Sequence, residues 1–238
     1  MFVSVIIPTW NEENHIKRLL SEIREQSFGD LEVIVADANS QDKTVEIAES
    51  MGATVVRGGK VGYGRNRGAA AAKGDLFVFL DADAILPSKD FFTDIIHEMQ
   101  YRRLDLAGTA VVPDSKRMSD RFLHWIYNRY IFLMGAFLPH AAGTCIIVKR
   151  FVHEAIEGFD ESITLAEDHD YVRRGAHIGQ FGIIKSHAVI TDVRRLDKEG
   201  RFALALKYIV AEFYILIFGP IRGNAIKHEF GHTEDENK

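Results

Sequence analysis

The 238-residue chain is long enough for one large α/β domain, or a domain with a small appendage, built on a sizeable core. Its residues are 47% hydrophobic and 26% charged, as in folded soluble proteins, and a formal net charge of -5 speaks against a general nucleic-acid partner, which needs a basic field. The single cysteine, Cys145, rules out an intramolecular disulfide and fits a reducing, cytoplasmic compartment.

The N-terminal MFVSVIIPTWNEE has neither the basic n-region nor the small-residue cleavage site of a signal peptide. Phe2–Pro8 is a continuous apolar run, as expected of a strand buried on both faces. Asn11 is a predicted cap for a helix through Ser27, with Ile16, Leu19, Leu20 and Ile23 at helical spacing. Leu31–Ala36 is a second buried strand, Thr44–Met51 a helix stopped by Gly52, and Thr54–Val56 a short third strand. Gly58–Gly64 is a predicted glycine-rich loop leading into an alanine-rich helix that ends at Gly74. Leu76–Leu80 is the fourth strand and runs directly into Asp81-Ala82-Asp83.

The second half is less regular. Asp105–Val112 reads as a strand, Met118–Phe137 as an aromatic-rich helix, Cys145–Val148 as a strand and Ala166–Ile178 as a helix. Phe181–Val193 holds one or two strands, Arg201–Phe218 a long apolar helix, and the tail after Lys227 is polar and frayed. No run reaches the roughly 20 apolar residues that span a bilayer; Tyr208–Ile221 comes nearest, but it is short and contains Glu212. Strands alternating with helices predict an α/β fold with a mostly parallel central sheet covered by helices on both faces. We expect a domain over residues 1–200 in two halves that meet at about 112. Residues 201–238 form a helical extension and tail.

Ligands on such sheets bind beyond the carboxyl ends of the strands. Thr9-Trp10-Asn11, Asp37 and Asp81-Ala82-Asp83 each follow an apolar strand, so three strand ends aim polar groups at one edge. Asp81 and Asp83, one small residue apart, suit a hard divalent cation and the diphosphate it holds; the alternative is a solvated acidic turn. Asp37 can accept a hydrogen bond from a base or ribose, or close its own turn. Trp10 can stack on a base, or sit in the core. GYGRNRG, at the head of a helix, offers close backbone approach and the cations Arg65 and Arg67 to a phosphate, without being a Walker loop or a Rossmann fingerprint. Glu167, Asp168 and Asp170 crowd three carboxylates into four residues: a candidate general base, or an acidic first helical turn. Arg194 and Arg195, followed by Lys198 and Arg201, make a basic cluster suited to diphosphate, to anionic lipid head groups, or simply to solvent. His140, His169 and His187 are further candidate ligands or bases.

Taken in order, VSVIIPTWNE, VIVADANSQDKT and GYGRNRGAAAAKGDLFVFLDAD resemble the family 2 glycosyltransferases of GT-A fold, and AGTCIIVKR, FDES…AEDHDY and TDVRR extend the resemblance to about residue 200. The resemblance implies an inverting enzyme that moves a sugar from a UDP- or GDP-linked donor with the aid of Mn2+ or Mg2+. It places Pro8, Thr9, Trp10 and Glu12 in the first nucleotide-binding loop and Asp37 on the base. Arg65 matches the arginine of the family's ARN turn. Asp81, Ala82 and Asp83 match the DxD motif, and the ED pair Glu167-Asp168 lies on the acceptor side with Asp168 as catalytic base. Ala38 departs from the family's second acid, and QxxRW is absent, which points to transfer of one sugar rather than polymer synthesis. A sugar nucleotidyltransferase and a non-catalytic nucleotide-sugar-binding protein are the alternatives; the first lacks its GxGTR-type loop.

Met118–Phe137 sets Phe122, Trp125, Tyr127, Tyr130, Phe132 and Phe137 beside Arg117, Arg121 and Arg129, and Tyr208–Ile221 is flanked by Lys207, Arg222 and Lys227. Such helices suit a peripheral contact with the inner face of the membrane and an acceptor on a polyprenyl phosphate or glycolipid. They equally suit packing on the sheet or a homodimer contact.

Overall fold

The computed structural model describes residues 1–135 and 137–222, so the expected polar tail lies outside the described residues. The strands are β1 (Val3–Thr9), β2 (Leu31–Asp37), β3 (Thr54–Arg57), β4 (Leu76–Leu80), β5 (Leu106–Pro113), β6 (Cys145–Lys149), β7 (Ile163–Leu165), β8 (Phe181–Thr191) and β9 (Ile221–Arg222). The helices are α1 (Glu13–Arg24), α2 (Thr44–Ser50), α3 (Val61–Ala71), α4 (Phe91–Tyr101), α5 (Met118–Met134), α6 (Arg150–Ala155), α7 (Glu167–Ala176), α8 (Arg194–Glu199) and α9 (Arg201–Phe218).

One sheet runs β3-β2-β1-β4-β6-β5-β8, and β7 pairs with β9 in a separate two-stranded piece. Within the large sheet β6 alone opposes its neighbours β4 and β5. The mostly parallel expectation therefore holds. Alternation along β1 divides the core: Val3, Val5 and Ile7 pack with α1 and α4, whereas Ile6 joins Phe77 and Phe79 under α3, α6 and α7. Strand β8 is one strand with an irregularity. Its register against β5 jumps from Thr109↔Ile184 to Ala110↔Ala188, and the displaced amides of Lys185 and Ser186 donate to the Glu98 carboxylate.

Two expectations are corrected. Asn11 does not cap α1: it sits at φ 54° and its side chain accepts the Gln41 amide at 2.8 Å. The amides at the start of α1 are met from the β2–α2 loop and the first residue of α2 instead, Glu12 N–H by Thr44 Oγ1 at 2.8 Å and Glu13 N–H by Asp42 Oδ2 at 3.0 Å. The glycine-rich loop is shorter than expected, because α3 already starts at Val61 and takes in Gly62, Gly64 and Gly68. Its glycines permit close packing of helix on sheet: a Cβ on Gly64 would stand 3.4 Å from Pro8 Cβ, and one on Gly68 only 2.4 Å from Ile6 Cγ2. Arg67 lies over the Tyr63 ring, 5.8 Å from its centre.

Gly68→Ala is accordingly expected to destabilise the chain by about 1–3 kcal/mol from overpacking, partly offset by the better helix propensity of alanine. Urea unfolding measures it, and a variant as stable as the parent would contradict this close approach.

Candidate active site

The site forms where β1, β2, β4 and β8 end. Thr9 pairs with Asp37 across β1 and β2, and an isolated bridge between Ile85 and Ile190 draws the loop after β4 against β8. Asp37 is buried. Its carboxylate accepts the Thr9 hydroxyl at 2.9 Å, the Ser40 hydroxyl at 2.6 Å and the Ser40 amide at 2.8 Å. Three of about four lone-pair positions are thus filled from within the loop, leaving one for an incoming donor. Trp10 is half-buried at the mouth of β1, and Pro8 and Ala82 are buried beneath the edge.

Arg65 is the hub. Its guanidinium is 1% exposed; Nη2 donates to Asp81 Oδ1 at 2.8 Å and to the Gly143 carbonyl at 2.9 Å, and Nη1 donates to Glu167 Oε1 at 3.0 Å. Its carbon lies 5.2 Å from the centre of the Phe159 ring. Burial works against the cation, but Asp81, Glu167 and Asp168 outweigh it and hold Arg65 firmly protonated. Gly143 lies against this group. A Cβ there would come within 2.8 Å of Arg65 Nη2 and 3.1 Å of Asp168 Oδ2, so Asp168 is beside the hub as well. Burial, reinforced by Asp168, raises Glu167 above the usual carboxyl range. One buried cation therefore joins the acidic motif after β4 to the acidic motif that opens α7.

A second cluster was not visible in the sequence. Glu12 Oε2 stands 3.0 Å from His15 Nδ1 and 3.4 Å from Arg194 Nη2, while Asp192 Oδ2 lies 3.5 Å from His15 Nε2 and 3.4 Å from Arg194 Nε. Asp83 lies in the field of this cluster. Burial first, then the charges of Asp81 and Glu12, push its carboxyl up to about 7, against the pull of Arg194. Arg18 donates to the Asp83 carbonyl at 2.9 Å and fixes the turn. The only hint in the sequence was the adjacency of Asp192 to Arg194 in TDVRR and of His15 to Glu12 in NEENH.

The structure gives Arg194 and Arg195 different partners. Both open α8, but Arg195 turns to Glu199 at 2.8 Å and stacks over Tyr208, while Arg201 binds Asp120 and Asp197. Tyr208 in turn lies in the field of both Asp168 and Glu167. His187 is held by Asp94 at 2.7 Å, and His169 by Glu212 at 3.0 Å.

Among the described residues no three or more His, Cys, Asp or Glu side chains converge on a point that would hold a metal. Asp81 and Asp83 still fit a hard cation of the Mg2+ or Mn2+ type. Such ions take one or two carboxylates and leave the rest of their shell to phosphate oxygens and water.

The arrangement, an acidic pair at the end of a mostly parallel sheet tied through Arg65 to a second acidic pair, sits on the fold of the GT-A glycosyltransferases. Glycosyl transferase family 2 matches residues 4–157, and the chain belongs to that family. A 4,4'-diaponeurosporenoate glycosyltransferase of Staphylococcus haemolyticus is 33% identical over 144 residues, which cover 57% of this chain and 36% of the relative. The chain therefore spans about a third of that relative. Among solved structures, mannosyltransferase PcManGT from Pyrobaculum calidifontis, in complex with GDP-Man and Mn2+, superimposes with a TM-score of 0.71 at 22% identity over 90% of this chain and 61% of the other. S. aureus TarS 1–349, in complex with UDP-GlcNAc, gives 0.64 at 21% identity over 81% and 58%. At these identities the structural likeness concerns the fold. Among the described residues no helix is long and apolar enough to cross a membrane.

Proposed function

We propose that the chain transfers a single sugar from a nucleotide-diphosphate donor to an acceptor hydroxyl or phosphate with inversion at the anomeric carbon. The observation that carries this reading is the buried Arg65, which binds Asp81 and Glu167 at once and so fixes the distance between the diphosphate-side acids and the acceptor-side acids. Donor complexes of the fold's relatives, with GDP-Man and Mn2+ in one and UDP-GlcNAc in another, support the donor class.

In this reading the base of the donor lies over Trp10 and Asp37, and its diphosphate reaches Asp81 and Asp83. A divalent ion held by Asp83 and Asp81 would neutralise charge on the departing diphosphate. Asp168 takes the proton from the acceptor oxygen as that oxygen attacks the anomeric carbon from the side opposite the bond to phosphate, which breaks. Arg194, braced by Glu12 and Asp192, stands on the diphosphate side and supplies positive potential there. Glu167 holds Arg65, and Arg65 holds Asp81, so the motif acids keep their positions through the reaction.

Calorimetry with UDP and GDP tests the donor half of the scheme. Binding is expected with Mn2+ present and is expected to fall sharply with chelator; equal affinity in both would remove the cation. The raised Asp83 carboxyl sets the pH dependence. Below about 7 it carries a proton in the folded chain, and a cation must displace that proton. Metal-dependent affinity should therefore climb between pH 6 and 7, by up to about tenfold per unit, and level off above. The sign for stability is the reverse in the metal-free chain: a carboxyl raised from 3.8 favours folding at low pH and loses that contribution as pH rises through about 7. Asp83→Asn should abolish both trends, and a pH-independent metal affinity in the parent would contradict the assignment.

A further inference from the structure

Helices α5 and α9 are built inside out. On α9 the charged residues Arg201, Lys207 and Glu212 turn to the protein, where Arg201 binds Asp120 and Asp197, Lys207 binds Glu199 at 3.0 Å, and Glu212 binds His169 and Arg173. The opposite face is apolar and bare: Phe202, Leu206, Ile209, Phe213 and Ile217 recur at helical spacing, with Phe202 87% and Phe213 63% exposed. Only Leu204, Ala211 and Ile215 of its 18 residues are buried. Helix α5 repeats the pattern. Asp120 and Asn128 face inward, Asn128 bonding both the amide and the carbonyl of Val111, while Phe122, Trp125, Ile126 and Leu133 are exposed. The helices are joined at Asp120–Arg201 and again at Tyr130–Glu212, ten residues on along α5 and eleven along α9, so they lie side by side and point the same way.

A helix that turns its ions to the protein and its phenylalanines outward is stable only if something apolar covers it. The charges around this surface identify the cover. Arg121 and Arg129 on α5 are exposed, as is Lys116 just before it, while Arg117 pairs with Asp197 at 2.7 Å and the only acid of α5, Asp120, is buried against Arg201. A second copy related by symmetry would bring like charges together, whereas anionic lipid head groups answer them. We propose that α5 and α9 lie together in the interface of an anionic lipid bilayer, with neither helix crossing it.

The same helices border the acceptor side. Tyr127 of α5 and Tyr208 of α9 both lie in the field of Asp168, and Glu212 of α9 grips His169, the next residue along from Asp168. A bilayer seated on this face would bring an acceptor carried by a lipid to the base from the membrane side. This last step rests on the proposed role of Asp168; the lipid contact does not.

Flotation of the full chain tests it, with vesicles of phosphatidylcholine alone and with added phosphatidylglycerol at low salt. The parent is expected to float with the anionic vesicles. Phe213→Glu with Ile217→Glu should stay at the bottom, and Arg121→Gln or Arg129→Gln should each weaken partition about fivefold. The exposed positions leave the fold intact, which unchanged calorimetric binding of nucleoside diphosphate in each variant verifies. A parent that stays at the bottom overturns the proposal: as a dimer by light scattering it assigns the face to a second copy, and as a monomer it leaves the face without lipid function. Flotation in a chain that binds no nucleoside diphosphate would keep the lipid contact and overturn the proposed transferase reading.

Discussion

Arg65→Met is expected to lower the unfolding free energy by roughly 3–5 kcal/mol, the cost of stranding buried acids whose cation has gone. Arg65 is almost wholly buried, and its replacement leaves Asp81 and Glu167 facing each other and Asp168 without compensation. The methionine fills most of the volume, so the loss reports charge rather than cavity. Because a stranded, buried carboxyl can take up a proton, the loss should shrink as pH falls, and adding Glu167→Gln should recover part of it. Chemical denaturation at several pH values measures this. A loss below about 1 kcal/mol at neutral pH would show that Arg65 is not the brace between the two acidic motifs.

Asp168→Asn is expected to reduce turnover by about 10²–10⁴-fold while leaving donor affinity unchanged. The substitution keeps the size of the side chain and its acceptor for the His169 amide, which now meets Asp168 Oδ1 at 2.9 Å. It removes the carboxylate proposed to take the acceptor proton. Turnover near that of the parent would end the base assignment, and loss of donor binding would make Asp168 a residue of the diphosphate site. Gly143→Ala offers a second route to the same position, since a Cβ there must displace Asp168 or Arg65.

The parts of this fold that follow from local pattern were legible in the sequence. Continuous apolar runs marked β1, β2 and β4, and the polar residue after each run marked the ligand edge. Helix α9 was read to its ends because its apolar content persists from Arg201 to Phe218. Helix α4 carries Phe91, Phe92, Ile95, Ile96 and Met99 at helical spacing, a signal the sequence reading leaves unassigned. The short elements α6, β7, α8 and β9 offer too few residues for any period to register.

What the sequence withheld is long-range. Glycine is read as a breaker, but on α3 it is selected by contact with Ile6 and Pro8, residues that come close only in the folded chain. Asn11 looked like a cap because the side chains that meet the amides of α1 come from Asp42 and Thr44, about thirty residues away. Arg65 meets Glu167 at a separation of 102 residues, and Arg194 meets Glu12 at 182. Composition alone showed many cations and acids; only the fold decides that Arg65 and Arg194 enter the site and that Arg195 turns toward α9.

The central claim is that this site breaks the bond between a sugar and a nucleoside diphosphate. The most direct test is to incubate the chain with UDP- and GDP-linked sugars and Mn2+, and to identify the nucleotide released. The account predicts nucleoside diphosphate, formed faster when an acceptor is supplied, with the sugar inverted at its anomeric carbon. Release of pyrophosphate, or donor binding with no turnover under any donor and acceptor, would contradict it.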